Sequence, residues 1–248
     1  MRTLRNSWGL SLAAVALLAL TISGPAYANN LVTNGGFEST THGPGQLGYN
    51  TNATDWTTTG YNFLFAPGTA DGPGTTGQYG NLQLWGPNNG SANGLPATSP
   101  DGGNFIANDG AFSGHVRPIY QTINGLTAGD SYTVGFWWAG AQQKNFTSTT
   151  TEFWQVTLGS QTQTTAVWDN PNHGFSGWMY QTFTYTASSG SEVLSFLAGG
   201  SPDGEPPFVL LDGVTLNAST PEPGTLVLLG SGLLGGMGVL RSKFRAKG

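Results

Sequence analysis

The sequence of 248 residues contains no cysteine, and only 8% of its residues are charged. The lack of cysteine excludes disulfide scaffolds and cysteine-ligated metal sites. The charged fraction is far below the roughly 25% of an ordinary soluble domain, so Thr, Ser, Asn, Gln and Gly must solvate the surface. A long helical bundle or coiled coil is also excluded, because such folds are rich in Ala, Glu, Lys, Leu and Arg.

Basic residues are nearly absent from the middle of the chain. Between residues 29 and 219, Arg117 and Lys144 are the only cations against twelve acidic residues, which gives this span a net charge of −10. Such a surface repels phosphate backbones, so we expect no nucleic-acid partner. It would attract cations such as Ca²⁺.

Residues 1–28 have the pattern of a secretory signal peptide. Two arginines precede an apolar stretch over 10–22, and Ala26 and Ala28 form a small-x-small cleavage site for signal peptidase. The alternative is an uncleaved membrane anchor. The apolar stretch has only 13 residues, whereas a membrane span needs about 20. We therefore predict cleavage and export.

The C-terminal segment, residues 220–248, has three parts in a fixed order. These are Pro221-Glu222-Pro223, an apolar stretch over 224–240, and a basic tail that begins at Arg241. A 17-residue apolar stretch is at the lower limit for a transmembrane helix. Basic residues directly after it hold that end in the cytoplasm. We predict one transmembrane helix over 224–240, with the domain outside the inner membrane.

This order of tripeptide, apolar stretch and basic tail resembles the PEP-CTERM sorting signal of Gram-negative bacteria. The resemblance implies that an exosortase, a membrane protease-transpeptidase, cuts near Pro-Glu-Pro. It also implies delivery to the cell surface or to the extracellular polysaccharide matrix, with only transient residence in the inner membrane. A plain C-terminal anchor is the alternative.

Residues 29–219 contain short β-rich runs separated by Gly, Pro, Asn and Asp, and no stretch with helical periodicity stands out. The predicted strands are 81–85, 104–108, 118–123, 131–139, 152–158, 178–186, 192–198 and 208–216. Several alternate between apolar and polar residues, as half-buried strands do. We predict an all-β fold with two antiparallel sheets packed face to face. The stretch 42–100 is rich in Gly, Thr, Asn and Pro, and predicts loops with one or two short strands over the sandwich.

Four segments resemble the galactose-binding-like jelly rolls, a fold that includes many carbohydrate-binding modules. They are 30–38, 125–136, 178–187 and 210–216. The resemblance implies a jelly-roll β-sandwich of eight or nine strands, often with a structural Ca²⁺. Glu38 and Asp212 match positions that commonly ligate the ion, and Asp101 is a third candidate by position. Alternatively, Glu38 and Asp212 bond to loop amides and bind no metal.

A carbohydrate site would need aromatic faces for sugar rings and amides for hydroxyl groups. Trp138, Trp154 and Trp178 are assigned to the core. The candidate ligand contacts are Trp85, Trp137, Trp168, Gln142 and Gln143. For each tryptophan the alternative is that the ring covers a loop. A binding module should gather these rings in one groove, whereas a structural matrix protein should disperse or bury them.

Catalysis has little support in the sequence. The three histidines lack zinc-site spacing, and no nucleophile elbow or phosphate-binding loop is present. A glycoside hydrolase needs two facing carboxylates, but nothing pairs Glu152, Glu192 and Glu205. Glu152 and Glu192, near predicted strand starts, are expected to be solvated. We predict a non-catalytic surface or matrix protein that binds or organises extracellular polysaccharide. The alternatives are a self-associating matrix protein without sugar recognition and a secreted glycoside hydrolase.

Overall fold

The computed structural model describes residues 29–219, so the predicted signal peptide and C-terminal helix lie outside the described residues. Apart from one turn of 3-10 helix at Pro87–Asn89, the regular structure in this span is β-strand. The strands are β1 (Gly45–Gln46), β2 (Asn62–Phe65), β3 (Thr75–Gly77), β4 (Gly80–Leu82), β5 (Phe105–Asp109), β6 (Ile119–Asn124), β7 (Ser131–Gln142), β8 (Thr150–Leu158), β9 (Gln161–Thr164), β10 (Trp168–Asn170), β11 (Met179–Thr186), β12 (Ser191–Ser201) and β13 (Pro207–Ala218).

Two antiparallel sheets form the sandwich. The six-stranded sheet has the order β1-β2-β5-β13-β7-β11. The five-stranded sheet has the order β10-β8-β12-β6, with β9 also paired to β8. From β5 to β8 and again from β10 to β13, successive strands alternate between the sheets. The prediction of an all-β jelly-roll sandwich is therefore confirmed, but in residues 29–219 the two sheets contain eleven strands rather than eight or nine.

The first hydrophobic core fills the space between the sheets. In β7, Tyr132, Val134, Phe136 and Trp138 are all buried in this core, as the alternation predicts. From the five-stranded sheet, Phe196 meets Phe136 edge-on, with 5.1 Å between ring centroids. The alternate residues of β7 therefore point to the opposite face of the six-stranded sheet.

A second core covers that opposite face. Residues between 61 and 95 fold over it, with Phe63, Phe65 and Leu84 completely buried against Phe105 and Phe208. The stretch 42–100 thus packs over the sandwich as expected, but it contains four short strands rather than one or two. β1 and β2 extend the six-stranded sheet, and β3 and β4 form a separate hairpin.

Candidate functional site

A pocket opens at the end of the sandwich where β5, β7 and β12 finish and β13 begins. It has a volume of about 300 Å³ and is lined by Tyr61, Tyr79, Asp109, Phe112, Gln143, Phe146, Asp203, Gly204 and Pro206. Strand pairing creates this meeting point, since Asp109 at the end of β5 lies opposite Phe208 near the start of β13. The volume is at the lower end of the range for small-ligand sites.

Aromatic rings form much of the pocket wall. Tyr61 directly precedes β2 and is only 8% exposed. Its ring centroid lies 5.2 Å from that of Phe112, edge-on, and 5.7 Å from that of Tyr79. Tyr79, in the β3–β4 turn, is 62% exposed. Phe112 also stacks on His115, with 4.2 Å between ring centroids, so Tyr79 offers the most accessible ring surface of the pocket wall.

Asp109 is a buried carboxyl group beside Tyr61. Its Oδ1 accepts hydrogen bonds from the backbone N–H groups of Ala111 and Phe112, at 2.9 and 3.1 Å. Burial raises the pKa of Asp109 to about 6; the two backbone bonds oppose this rise, and the Asp203 carboxylate adds to it. Burial, Asp109 and Tyr79 together raise the pKa of Tyr61 to about 12. Tyr61 therefore keeps its hydroxyl proton at neutral pH.

Two more polar side chains lie in the pocket wall. Gln143 is partly exposed just after β7, and its backbone N–H bonds to the carbonyl of Pro206 at 3.3 Å. Asp203 is exposed in the β12–β13 loop. Aromatic faces with one amide and two carboxyl groups offer both stacking surfaces and hydrogen-bond partners.

The three candidate tryptophans do not share a groove. Trp85 stacks on His173 with 3.9 Å between ring centroids, and its Nε1 donates to the carbonyl of Phe146 at 2.8 Å. Trp85 thus supports the loop that carries a pocket residue. Trp137 lies on the outer face of the six-stranded sheet, 5.1 Å from Tyr180. Trp168 packs against the first core instead.

Of the two candidate glutamines, Gln143 alone lies in the pocket wall. Gln142 is completely buried. Its Nε2 donates to the carbonyl of Ser148 at 2.9 Å, and its Oε1 accepts from the backbone N–H of His173 at 2.8 Å. The structure thus places Gln142 as a link between two loops. Of the tryptophans assigned to the core, Trp138 and Trp154 lie in the first core, and Trp178 packs on the second.

The three candidate calcium ligands come together from distant parts of the chain. A Cβ atom built on Gly36 would lie 3.0 Å from Asp101 Oδ2 and 3.9 Å from Asp212 Oδ1, so both carboxyl groups face this glycine. Glu38 Oε1 accepts a hydrogen bond from the backbone N–H of Asn104 at 2.6 Å. That bond is the loop contact expected in the metal-free alternative.

Asp212 has a buried carboxyl group with one unpartnered oxygen, which is the feature of this region that best suits a bound cation. It is 0% exposed, and its Oδ2 accepts a hydrogen bond from the Ser99 hydroxyl. Its Oδ1 has no hydrogen-bond partner, which is uncommon for a buried carboxyl oxygen. Burial raises the pKa of Asp212 to about 8; the bonds from the Ser99 hydroxyl and the Gly213 backbone oppose this rise, and the Asp101 and Glu38 carboxylates add to it.

The side chains alone do not form a cage for a metal. Among residues 29–219, no group of three or more His, Cys, Asp or Glu side chains is arranged to hold an ion. Ca²⁺ takes six to eight oxygens and accepts backbone carbonyls and water among them. Asp212 therefore fits a calcium site only if backbone oxygens supply much of the coordination.

The expected solvation of Glu152 and Glu192 is wrong. Glu152 is 0% and Glu192 7% exposed, because both side chains turn inward from their strands. Glu192 Oε1 accepts bonds from Ser188, at 2.6 Å from the backbone N–H and 2.5 Å from the hydroxyl. Neither glutamate lines the pocket, which instead brings together Asp109 and Asp203.

Residues 219–243 match the family model of the PEP-CTERM protein-sorting motif. The chain carries this sorting motif at its C-terminal end. The match includes the Pro-Glu-Pro tripeptide and Arg241, and it indicates an exported protein that is anchored at its C terminus before processing. The candidate processing residues Ala26, Ala28, Pro221, Glu222, Pro223 and Arg241 lie outside the described residues. No helix within residues 29–219 is long and apolar enough to cross a membrane.

Several solved structures are similar to the chain, whereas no curated protein matches its sequence. The CBM22-1 xylan-binding domain from Paenibacillus barcinonensis is 10% identical, with 79% of this chain and 97% of that domain covered and a TM-score of 0.39. The N-terminal cellulose-binding domain of a Cellulomonas fimi β-1,4-glucanase is 16% identical, with 64% and 90% covered and a TM-score of 0.32.

The enzymatically active domain of tailspike protein 4 from bacteriophage CBA120 is 17% identical, with a TM-score of 0.36. The match covers 77% of this chain but only 21% of the tailspike domain. These TM-scores are all below 0.5, so none of the three matches assigns a site or an activity to this chain.

Proposed function

We propose that residues 29–219 form a non-catalytic module that binds extracellular polysaccharide through the pocket at the end of the sandwich. The observation that carries this proposal is the set of four aromatic side chains around Asp109, Asp203 and Gln143. Aromatic faces stack on the apolar faces of sugar rings, and carboxyl and amide groups bond to their hydroxyls. The six-stranded sheet holds Tyr61 and Asp109 rigidly at neighbouring strand ends.

The sorting motif supplies the proposed cellular context. Signal peptidase would release the N-terminal segment, and an exosortase would act at the Pro-Glu-Pro tripeptide after transient residence in the inner membrane. The domain would then lie at the cell surface or in the extracellular matrix, where polysaccharide is abundant. With this location, a binding domain would fix the protein to the matrix or organise the polymer.

We also propose a structural Ca²⁺ held by Asp212, Asp101 and Glu38 together with backbone oxygens. The unpartnered Oδ1 of Asp212 supports this assignment. The ion would neutralise three carboxyl groups that otherwise repel one another. A ligand that binds only the folded state raises stability, which would help a domain without disulfides.

Two alternatives each have one observation in their favour. The dispersed Trp85, Trp137 and Trp168 are the arrangement expected of a self-associating matrix protein. The shared pocket of Asp109 and Asp203 provides the two carboxyl groups that a glycoside hydrolase needs. Asp109 is buried and already accepts two backbone bonds, which makes it better placed to shape the pocket than to transfer protons.

The decisive test compares two tyrosines of nearly equal exposure. Tyr79 in the pocket is 62% exposed, and Tyr49 outside it is 61% exposed. Residues 29–219 contain both hydrophobic cores and are suitable for purification as a unit. We expect this domain to bind one class of oligosaccharide on a glycan array, and Tyr79→Ala to weaken binding by about 10-fold or more, as for lost stacking.

Tyr49→Ala is the matched control and should bind like the unsubstituted domain. Equal binding by both variants would place the sugar site elsewhere, and absence of binding to any glycan would favour the self-association alternative. Incubation of each bound oligosaccharide with the domain, followed by a reducing-end assay, separates binding from hydrolysis. New reducing ends that disappear in Asp109→Asn would establish the hydrolase.

A further inference from the structure

The proposed sugar pocket combines aromatic rings with negative charge. The rings are Tyr61, Tyr79, Phe112 and Phe146, and the charged groups are the carboxyls of Asp109 and Asp203. None of the described residues that line it is a lysine or an arginine. Aromatic faces carry negative electrostatic potential, so the rings and the carboxylates both favour a positively charged ligand.

We propose that this pocket prefers sugars with a protonated amino group over neutral or acidic sugars. This inference rests on the proposed function and specifies its ligand. An ammonium group is attracted to aromatic faces and donates charge-assisted hydrogen bonds to carboxylates. N-acetylation removes this charge, and the carboxylate of a uronic acid would be repelled by both aspartates.

The positions of the two carboxyl groups suit this ligand. Asp109 is 2% exposed and lies beside Tyr61, whereas Asp203 is exposed in the loop between β12 and β13. An ammonium group in the pocket would therefore meet negative charge both at the inner wall and at the mouth. The Asp203 carboxylate contributes to the raised pKa of Asp109, a repulsion that a bound cation would relieve.

The charge of the whole domain acts in the same direction. Residues 29–219 have a net charge of −10, which attracts a cationic polymer and repels an acidic one before contact. This long-range effect does not depend on the pocket. A test must therefore separate the two pocket carboxylates from the remaining negative charge.

Calorimetric titration of the purified domain at pH 7 with matched tetrasaccharides provides this test. The ligands are a β-1,4-linked glucosamine tetrasaccharide, its fully N-acetylated form and a galacturonate tetrasaccharide. Choline, a permanent cation without a sugar ring, is the fourth ligand. We expect the glucosamine form to bind at least about 10-fold more tightly than the N-acetylated form, and galacturonate not to bind.

Two charge-removing variants separate pocket recognition from overall charge. Asp203→Asn removes a carboxylate from the pocket mouth, and Asp169→Asn removes an exposed carboxylate on β10 that does not line the pocket. We expect Asp203→Asn to weaken glucosamine binding by about 3- to 10-fold while binding of the N-acetylated form is unchanged. Asp169→Asn should leave both affinities unchanged.

The outcomes distinguish this inference from the proposed function. Equal affinity for the glucosamine and N-acetylated ligands, or equal losses in the two variants, would overturn the ammonium preference and leave sugar binding established. Choline binding that Asp203→Asn weakens, without binding of any sugar, would support ammonium recognition and overturn the polysaccharide function. No binding of any of the four ligands would overturn both.

Discussion

Glu152 is a carboxyl group enclosed between the two sheets. Its Oε1 accepts bonds from the Thr150 hydroxyl at 2.5 Å and from Asn170 Nδ2 at 3.4 Å, while Oε2 has no partner. Burial raises the pKa of Glu152 to about 8; the bonds from Thr150 and Asn170 lower it, and the Asp169 carboxylate raises it further. The folded chain therefore holds more protons than the unfolded chain between about pH 4.5 and 8, and stability falls as pH rises through this window.

We expect Glu152→Gln to remove this loss of stability at high pH. The amide retains an oxygen for the bonds from Thr150 and Asn170 and carries no charge at any pH. The thermal midpoint should rise by on the order of 5 °C at pH 8 and change little at pH 4.5. Differential scanning calorimetry at the two pH values provides the measurement.

Glu205→Gln, at a partly exposed site, is the control for this comparison. It should not change the difference between the thermal midpoints at pH 4.5 and pH 8. A midpoint that Glu152→Gln lowers more at pH 8 than at pH 4.5 would show that the ionised carboxylate stabilises the fold, contrary to the argument from burial.

The alternation of buried and exposed residues determined which strands could be predicted from the sequence. β11 and β12 alternate between buried and exposed or partly exposed residues along most of their length, and both were predicted close to their observed bounds. In β7 the residues from Trp138 to Gln142 are all buried, and the predicted strand ended three residues too early. β2 was missed because all four of its residues are buried, so it has no alternation. β9 was missed because its sequence, QTQT, contains no apolar residue.

The pocket was harder to predict for a related reason. Its wall comes from the ends of several strands and the loops beyond them, where no periodic pattern marks inward-facing residues. Tyr61, Tyr79, Phe112 and Phe146 are separated by up to 85 positions in the sequence. Gln143 was proposed because its amide can bond to sugar hydroxyls, whereas Asp109 ends a strand whose residues are all buried and had no such signal.

The proposed calcium site depends on an irregularity in β13. The pairing of β13 with β7 shifts register between Asp212 and Thr215, and Gly213 within the bulge has φ +58°. A Cβ atom on Gly213 would lie 3.1 Å from Asp101 Cγ and from Trp137 Cδ1. The bulge therefore brings the last strand close to the Asp101 loop, as bulges commonly do near functional sites.

Asp101→Asn tests whether this arrangement holds an ion. In the unsubstituted domain, we expect 1 mM Ca²⁺ to raise the thermal midpoint by roughly 3–8 °C and a chelator to reverse the change. Asp101→Asn should reduce this shift by more than half, because it removes one charged oxygen ligand. Asp55→Asn, at an exposed position, is the control. The assignment fails if the unsubstituted domain shows no shift, or if both variants keep it in full.

In the molecule as a whole, the six-stranded sheet has a hydrophobic core on each face. Leu194 is fully buried in the first core and Leu84 in the second. Phe105, Phe208 and their neighbours lie on strands that also carry first-core residues. The same strands therefore contribute side chains to both cores. We infer that the two cores unfold together.

Substitution of one leucine in each core checks this inference. Leu84→Ala and Leu194→Ala should each lower the free energy of unfolding by about 2–4 kcal/mol. Urea denaturation followed by both tryptophan fluorescence and circular dichroism should show a single transition in each variant. Val167→Ala, at a 57% exposed position, is the control and should hardly lower the free energy of unfolding. A separate early transition in Leu84→Ala would mean that residues 61–95 are an independent layer.

β13 leads from the pocket to residue 219, where the sorting motif begins. Over its 12 residues, at about 3.3 Å per residue, it spans roughly 35–40 Å, so the pocket and the point of attachment lie at opposite ends of the sandwich. The strand is hydrogen-bonded to β7 along most of its length and to β5 over residues 208–211. If the pocket holds a polymer as proposed, tension between that polymer and the C-terminal attachment would run along this strand and load its hydrogen bonds to β7 in shear, many at once.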